Sequence, residues 1–371
     1  MRIGNRRGDS IMNRRFFLRG AATATLAGFS FPAWTGNFAT PQVDSLTLEV
    51  LVDNATFGPF LPDLSLPGLQ VIRSNGSSER GVMTRSPLQA EFGLSILAES
   101  RRAEQSRRVL VDFGYSPEVL AHNAALLGVD PEQIGAAVLS HGHLDHYGGF
   151  EGVFRNAVRR ERHVPLFVGG EEVFCERLAM IGNPPPLMGA LDRKQLAAAG
   201  FDVRMAPEAT IVADHAFTTG IIPLQGFERA AIPTQMRPGV GCDADRLSPA
   251  KKSQKQLADD GEHELATVYN VRNLGLVVIA SCSHRGVLNS IRRAQAVSGV
   301  TKIHAVVGGF HLVRPRTEAE ARQTVAEMAV IDPAYIVPMH CTGEVFIEEA
   351  LRTMPTKVIR PYVGTKLTFA A

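Results

Sequence analysis

The sequence predicts an α/β fold built in layers. Short apolar runs of strand length alternate with helix-like segments in both halves of the chain, no internal repeat divides it, and no stretch rich in Pro, Gly or Ser forms a linker. Its 371 residues, 45% hydrophobic and 20% charged, are enough to bury a large core, which excludes intrinsic disorder for the bulk of the chain. The 39 Lys+Arg against 37 Asp+Glu leave a net charge of +2, and no run of like charges forms a stripe that could follow a phosphate backbone. Nucleic acid is thereby excluded as the main partner. Four cysteines are too few for a disulfide scaffold, so the fold rests on hydrophobic packing.

Strands are expected at 46–52, 94–98, 109–113, 136–139, 166–168, 211–217 and 276–280, each an apolar run ending in polar residues or Gly. Two more, 303–307 and the run from Tyr335, end near His311 and His340. Helical patterns cover 117–127 and 318–330, and another helix begins at Val287. Ser116-Pro117-Glu118 opens the first with a cap and a proline at the first helical position. Segments 73–91 and 225–262 lack periodicity and read as insertions in one catalytic domain spanning 46–371.

Asn13-Arg14-Arg15-Phe16-Phe17-Leu18-Arg19 resembles the twin-arginine export signal. The small-sided apolar stretch 20–31 that follows is too short for a permanent membrane span. Residues 1–40 are therefore expected to be a removable signal, the twin-arginine translocase a partner during export, and the destination periplasmic or secreted. That route carries folded proteins already loaded with their cofactor.

Ser140-His141-Gly142-His143-Leu144-Asp145-His146 follows directly on an apolar run, so three imidazoles and one carboxylate gather at a strand end. Neutral imidazole and carboxylate are what a borderline cation such as zinc binds, and a short turn can aim several at one point.

This loop resembles the His-x-His-x-Asp-His signature of the metallo-β-lactamase superfamily. The resemblance implies an αββα sandwich, two mixed sheets flanked by helices, with a mono- or dinuclear metal site. By position, His141 and His143 would join one metal, Asp145 and His146 the second. Asp112, ending the preceding strand, matches a residue that supports the loop. His284, after the run 276–280, and His340, in Met339-His340-Cys341-Thr342-Gly343, match ligands from farther along the chain. His263 falls where the wider superfamily places its middle histidine, whereas the nearest branch more often has Asp, so a ligand role and a supporting role both stand. His311, in Gly308-Gly309-Phe310-His311, either touches substrate near the metals or satisfies backbone groups. Cys282 and Cys341, each beside an implied ligand, could bind metal, pair with each other or be buried thiols.

Leu51-Val52-Asp53-Asn54, Glu91-Phe92-Gly93-Leu94-Ser95, Cys282-Ser283-His284-Arg285-Gly286 and His340-Cys341-Thr342-Gly343 are similar to the branch that contains the archaeal dihydropterin ribofuranosyl-aminobenzene phosphate synthase and many metal-dependent hydrolases. Phe92 and Ser281 depart from that branch, which has His and Gly there.

The implied cofactor is one or two Zn2+ ions, with Mn2+ or Fe2+ compatible with the same ligands. Metal lowers the pKa of a bound water from 15.7 to about 7, so the expected activity is hydrolysis of a small ester, lactone or phosphoester, with Asp145 or His311 handling a proton. A transferase similar to the archaeal synthase and a metal-binding protein without turnover are the alternatives. No Gly-x-Ser-x-Gly elbow or phosphate-binding Gly-x-x-x-x-Gly-Lys loop is present. A basic pocket, to which Arg285 and Arg314 are the nearest contributors, would separate the synthase reading from the hydrolase reading.

Overall fold

The computed structural model describes residues 38–56, 61–73, 87–154 and 163–371. The export motif and residues 74–86 of the first insertion lie outside the described residues. Among the described residues the strands form three sheets. The largest runs, in spatial order, through Phe201–Met205, Val164–Val168, Ile134–Leu139, Gln105–Val111, Ser95–Arg102, Ser45–Val52, Thr365–Ala370, Leu69–Arg73 and Leu64–Leu66. The second runs through Thr210–Val212, Ala216–Thr218, Thr267–Val271, Gly275–Ile279, Ile303–Gly308 and Tyr335–Pro338, with Gln42–Val43 beside Thr267–Val271.

Alternation along the strands explains how these sheets stack. In and just after Gly275–Ile279, Val277 and Ile279 face a core shared with Val50, Ile96, Val109 and Val138 of the large sheet. Leu276, Val278 and Ala280 point the other way, into a core with Val287, Ile291, Val325 and Phe346 of the helices Val287–Ser298, Glu318–Ile331 and Glu344–Thr353. Leu110, Ala137, Leu139 and Leu166 likewise face Leu120 of helix Pro117–Leu126 and Leu196 of helix Arg193–Ala198. Two sheets with helices on both outer faces make the predicted αββα sandwich. Strands buried on both sides read as near-continuous apolar runs, which is why the sequence exposed them.

Helix Pro117–Leu126 starts as expected: Ser116 caps it through Val119 N, with Pro117 in the first turn. One strand expectation is corrected. The run 211–217 is a hairpin, because Ala213 and Asp214 adopt left-handed φ of 47° and 60° and turn the chain back between Thr210–Val212 and Ala216–Thr218. The segment 225–262 is also more regular than its sequence suggests. It supplies Thr234–Arg237 and Leu257–Ala258 to a four-stranded sheet completed by Glu176–Ala179 and Leu187–Gly189. A disulfide, Cys175–Cys242, ties the two parts of this subdomain. No helix among the described residues is long and apolar enough to cross a membrane.

Candidate metal centre

Parallel pairing puts the carboxyl ends of neighbouring strands side by side. Gln105–Val111 pairs parallel with Ile134–Leu139, and Gly275–Ile279, Ile303–Gly308 and Tyr335–Pro338 form a second parallel set. Asp112, the histidine loop, the 281–284 turn, His311 and His340 all follow such ends. Asp112, Ser283, His311 and His340 adopt left-handed backbone, with φ of 58°, 56°, 43° and 47°. Non-glycine residues are uncommon there, and such strain persists only where the surroundings enforce it.

The imidazoles meet ring to ring. His141 lies 4.6 Å from His143, 4.2 Å from His146 and 4.8 Å from His284, centroid to centroid. His340 is 4.9 Å from His146, and His311 is 4.3 Å from His284. One ligand atom from each of His141, His143 and His284 falls within 4.8 Å of the others, as do those of Asp145, His146 and His340. All six implied ligands therefore converge.

Hydrogen bonds orient each ring. Asp112 accepts the Ser140 amide at 2.7 Å, the Ser140 hydroxyl at 2.8 Å and His146 Nδ1 at 2.8 Å, turning His146 Nε2 toward His340 Nε2 at 3.2 Å. The Ser140 hydroxyl, already donating to Asp112, accepts His141 Nδ1 at 2.9 Å. Thr234 Oγ1 takes His143 Nε2 at 3.1 Å and the Ala231 carbonyl takes His284 Nδ1 at 3.2 Å. Asn54 Oδ1 takes His340 Nδ1 at 3.1 Å, while the His340 amide donates to Asp53 at 2.9 Å. Each ring thus keeps one nitrogen aimed inward.

His263 behaves differently. Its Nε2 accepts the Gly142 amide and Arg177 Nη2, both at 3.1 Å, so its lone pair is already engaged beneath the loop. It holds the loop rather than facing the cluster. The buried Arg177 also pairs with Asp259 at 2.6 Å, and its side chain packs under Gly142. A Cβ at Gly142 would lie 2.4 Å from the Val173 carbonyl and 2.7 Å from Arg177 Nη1. Gly142→Ala is expected to destabilise the protein by roughly 1–3 kcal/mol through overpacking, read as a lower melting temperature; an unchanged melt would refute the close approach.

The electrostatics keep the rings of His141, His143 and His284 neutral, whereas for His340 burial is outweighed by the charge of Cys341 and the hydrogen bond to Asp145, which raise the pKa to about 9. Burial, then the neighbouring imidazoles, hold His141 and His284 well below the ordinary histidine value. Burial and then Arg177 bring His143 down to about 3. For Asp145, burial alone would raise the pKa, but His146 and the hydrogen bond to His340 outweigh it and lower it. Neutral imidazole and ionised carboxylate are the ligand forms. His141 Nε2, His284 Nε2 and His311 Nε2 are buried with no hydrogen-bond partner. An unmet buried polar atom costs about 1–3 kcal/mol, and a divalent cation is the partner that would meet several at once, so the donor set fits the metal.

Sequence reasoning missed Asn54, Thr234, Asp259 and Arg177, which orient or support the rings. Their signal is weak because they come from separate segments. His215 bonds Ser100 and His304 bonds the Gly68 carbonyl, away from the cluster.

A family model of the metallo-beta-lactamase superfamily matches residues 91–168, the stretch that carries the histidine loop. The structure is similar to that of Tm1679, a metal-dependent hydrolase of the beta-lactamase superfamily, with a TM-score of 0.63 at 24% identity, covering 86% of this chain and 98% of that one. The chain carries the metallo-β-lactamase fold, and its histidine-loop segment matches that superfamily. It is also 26% identical over 272 residues to the 7,8-dihydropterin-6-methyl-4-(beta-D-ribofuranosyl)-aminobenzene-5'-phosphate synthase of Methanocaldococcus jannaschii, covering 71% of this chain and 86% of the relative. An uncharacterised protein of the same archaeon is 24% identical over 257 residues, covering 68% and 85%. For a metallo-β-lactamase fold protein, the cluster lies where the fold brings the two sheets' strand ends together.

Proposed function

We propose that this protein is a metal-dependent hydrolase of a small, largely apolar ester, lactone or phosphoester. The observation that carries the reading is the set of inward-facing imidazoles beside an open cleft of about 1090 Å³. Its walls include Met180, Ile181, Leu312, Val313 and Pro233, and two of them are chain neighbours of the centre, since Leu312 follows His311 and Pro233 precedes Thr234. His141, His143 and His284 would hold one zinc ion, and Asp145, His146 and His340 a second. Bound zinc supplies Lewis acidity toward the electrophilic oxygen and an acidified water. His311, buried with Nε2 unmet, is placed to hold a proton or a substrate oxygen. Phe92, exposed with its ring 4.9 Å from His340, offers an apolar face beside the cluster.

The identity to the archaeal synthase favours a second reading, transfer to an aromatic acceptor. Charge on the cleft supports hydrolysis instead. Arg285 is buried and spends its guanidinium on the Ile222 and Asp260 carbonyls, and Arg316 donates Nη2 to the Arg229 and His284 carbonyls, leaving Nε and Nη1 without a hydrogen bond. Arg314 is exposed on the wall, which also carries Glu318 and Glu344. A diphosphate would meet two arginines opposed by two glutamates, with no net positive charge on the wall. Elemental analysis of purified protein, followed by a panel of lactone, phosphodiester and β-lactam substrates before and after chelation, tests the reading. Metal-dependent turnover of one class is expected; a metal-loaded protein inert to all of them but releasing pyrophosphate from a pterin diphosphate ester as it joins the pterin to an aromatic acceptor would favour the transferase.

We further infer export through the twin-arginine pathway. The Arg14-Arg15 motif carries this reading, and the Cys175–Cys242 disulfide supports an oxidising destination. Replacing both arginines with lysine should leave metal-loaded precursor in the cytoplasm. Cell fractionation with metal analysis checks it, and undiminished arrival in the periplasm would count against it.

A further inference from the structure

We propose that the cavity shared by Glu172 and His263 is a binding site for a small amino alcohol with an apolar body, an ancillary ligand distinct from the substrate of the metal centre. None of the six implied metal ligands lines it, so the inference stands apart from the hydrolase reading.

Two buried atoms carry it. His263 Nε2 accepts the Gly142 amide and Arg177 Nη2, so the proton of the neutral ring sits on Nδ1 and makes that nitrogen a donor. His263 Nδ1 and Glu172 Oε2 are both buried with no hydrogen-bond partner among the described residues, and they lie 3.8 Å apart. That is too far for them to bond each other. Both residues line one cavity of about 360 Å³. A hydroxyl oxygen about 2.8 Å from each would accept from Nδ1–H and donate to the carboxylate, meeting both unmet groups at once. Glu172 is not free to swing away, because Lys251 Nζ holds its Oε1 at 2.6 Å.

The remaining walls define the rest of the ligand. Met205, Pro207, Ile221 and Leu247 offer a hydrocarbon surface to an apolar body. In and just behind the walls, Glu171, Glu172, Asp243, Asp260 and Glu262 outnumber Arg193, Arg246 and Lys251. Such a field attracts a cation and repels a phosphate or carboxylate. An ammonium on the ligand satisfies it, and half-buried Glu262, beside Lys251, is the carboxylate placed to meet that charge.

The fold accounts for the position. Ile134–Leu139, Val164–Val168 and Phe201–Met205 are neighbouring parallel strands, and α/β sheets place ligands at the carboxyl ends of such strands. The first strand carries the histidine loop. The cavity takes Gly169 and Gly170 from the end of the second, and Met205 and Pro207 from the end of the third. A Cβ at Gly169 would lie 2.0 Å from the His263 carbonyl, so glycine is what lets the strand end reach His263. A Cβ at Gly170 would meet nothing within 4 Å, so a side chain there has open space to enter. An occupant would touch the ring whose other nitrogen holds the Gly142 amide between His141 and His143, which links the cavity to the loop.

The test is calorimetric titration of the full-length, metal-loaded protein with phenylethanolamine, with phenethylamine, which lacks the hydroxyl, and with phenylethanol, which lacks the amine. The amino alcohol should bind, and loss of either polar group should weaken binding about tenfold, the worth of one buried polar contact. Gly170→Phe, which plugs the cavity, should abolish binding with metal content unchanged. Glu172→Gln should weaken binding of the amino alcohol about tenfold, because the carboxylate is lost while the shape is kept. Equal affinity for all three compounds, or undiminished binding to Gly170→Phe, overturns the proposal. A crystal of the wild type soaked in phenylethanolamine gives a readout that needs no variant to fold. The hydroxyl is expected between His263 Nδ1 and Glu172 Oε2, and a water there with no probe in the cavity overturns the assignment. Absence of binding would leave the hydrolase reading standing, and failure of every hydrolase substrate would leave these outcomes unchanged.

Discussion

Asp145→Ala is expected to lower kcat/KM by on the order of 10³ while leaving the protein folded. Asp145 Oδ2 lies 3.2 Å from His340 Nε2 and 3.7 Å from His146 Nε2, and its carboxylate is the one carried by the loop. Removing it takes a negative donor from a buried site built to hold positive charge, and several kcal/mol of transition-state stabilisation, at 1.36 kcal/mol per decade, amounts to about three decades. Folding should survive because the loop is anchored by the Asp145 backbone carbonyl, which accepts the Leu94 amide at 3.2 Å, and not by the carboxylate. His143→Ala should act in the same direction. Kinetics, metal content and a melting curve on each variant decide it. Wild-type turnover with one metal equivalent lost would show that the second cation is dispensable.

Glu228→Gln is expected to flatten the dependence of stability on pH by about 3 kcal/mol between pH 4 and 8. Glu228 is buried at the start of helix Val287–Ser298, with Oε2 accepting the Asn289 amide at 2.9 Å and Oε1 unmet. Burial raises its pKa from 4.5 to about 7, against the opposing hydrogen bond from Asn289 and the charge of Arg316. For an acid whose pKa is raised in the folded state, the unfolded chain releases its proton first as pH rises. Wild-type stability is therefore lost between pH 4.5 and 7, at about 1.4 kcal/mol for each pH unit that separates the folded and unfolded values. Glutamine does not titrate and can still accept the amide. Urea unfolding of both proteins at the two pH values measures the difference, and parallel behaviour would mean that the carboxylate remains ionised in the folded protein.

The layered fold was legible because the strands of a sandwich covered on both faces are nearly pure apolar runs; 276–280 and 303–307 could hardly have read otherwise. The run 211–217 misled because its apolar ends were joined into one strand, although the polar pair Asp214-His215 between them marks the turn that Ala213 and Asp214 make. Much of the metal centre was visible for a simpler reason: the histidine loop packs four donor residues into six positions. His284 and His340 were legible only because each ends a strand. What escaped was support contributed by distant segments. Thr234 and Asp259 lie in a stretch whose short strands pair with Glu176–Ala179 and with each other, a pairing that leaves no periodic trace. The free nitrogens of His263 and His143 are set by hydrogen bonds, so no spacing rule separates a ligand from its prop.

The donors come from opposite hands of the molecule. His141, His143, Asp145 and His146 follow the large sheet, and His284, His311 and His340 follow the other, nearly two hundred positions along the chain at the far extreme. Neither sheet alone carries a complete set, so a nascent or unfolded chain presents only fragments of the site and should compete poorly for scarce ions. Capture must wait until both sheets have docked, after which the ion acts as a clasp across their seam. Selection of the metal then becomes a property of the finished fold and of the compartment in which folding ends.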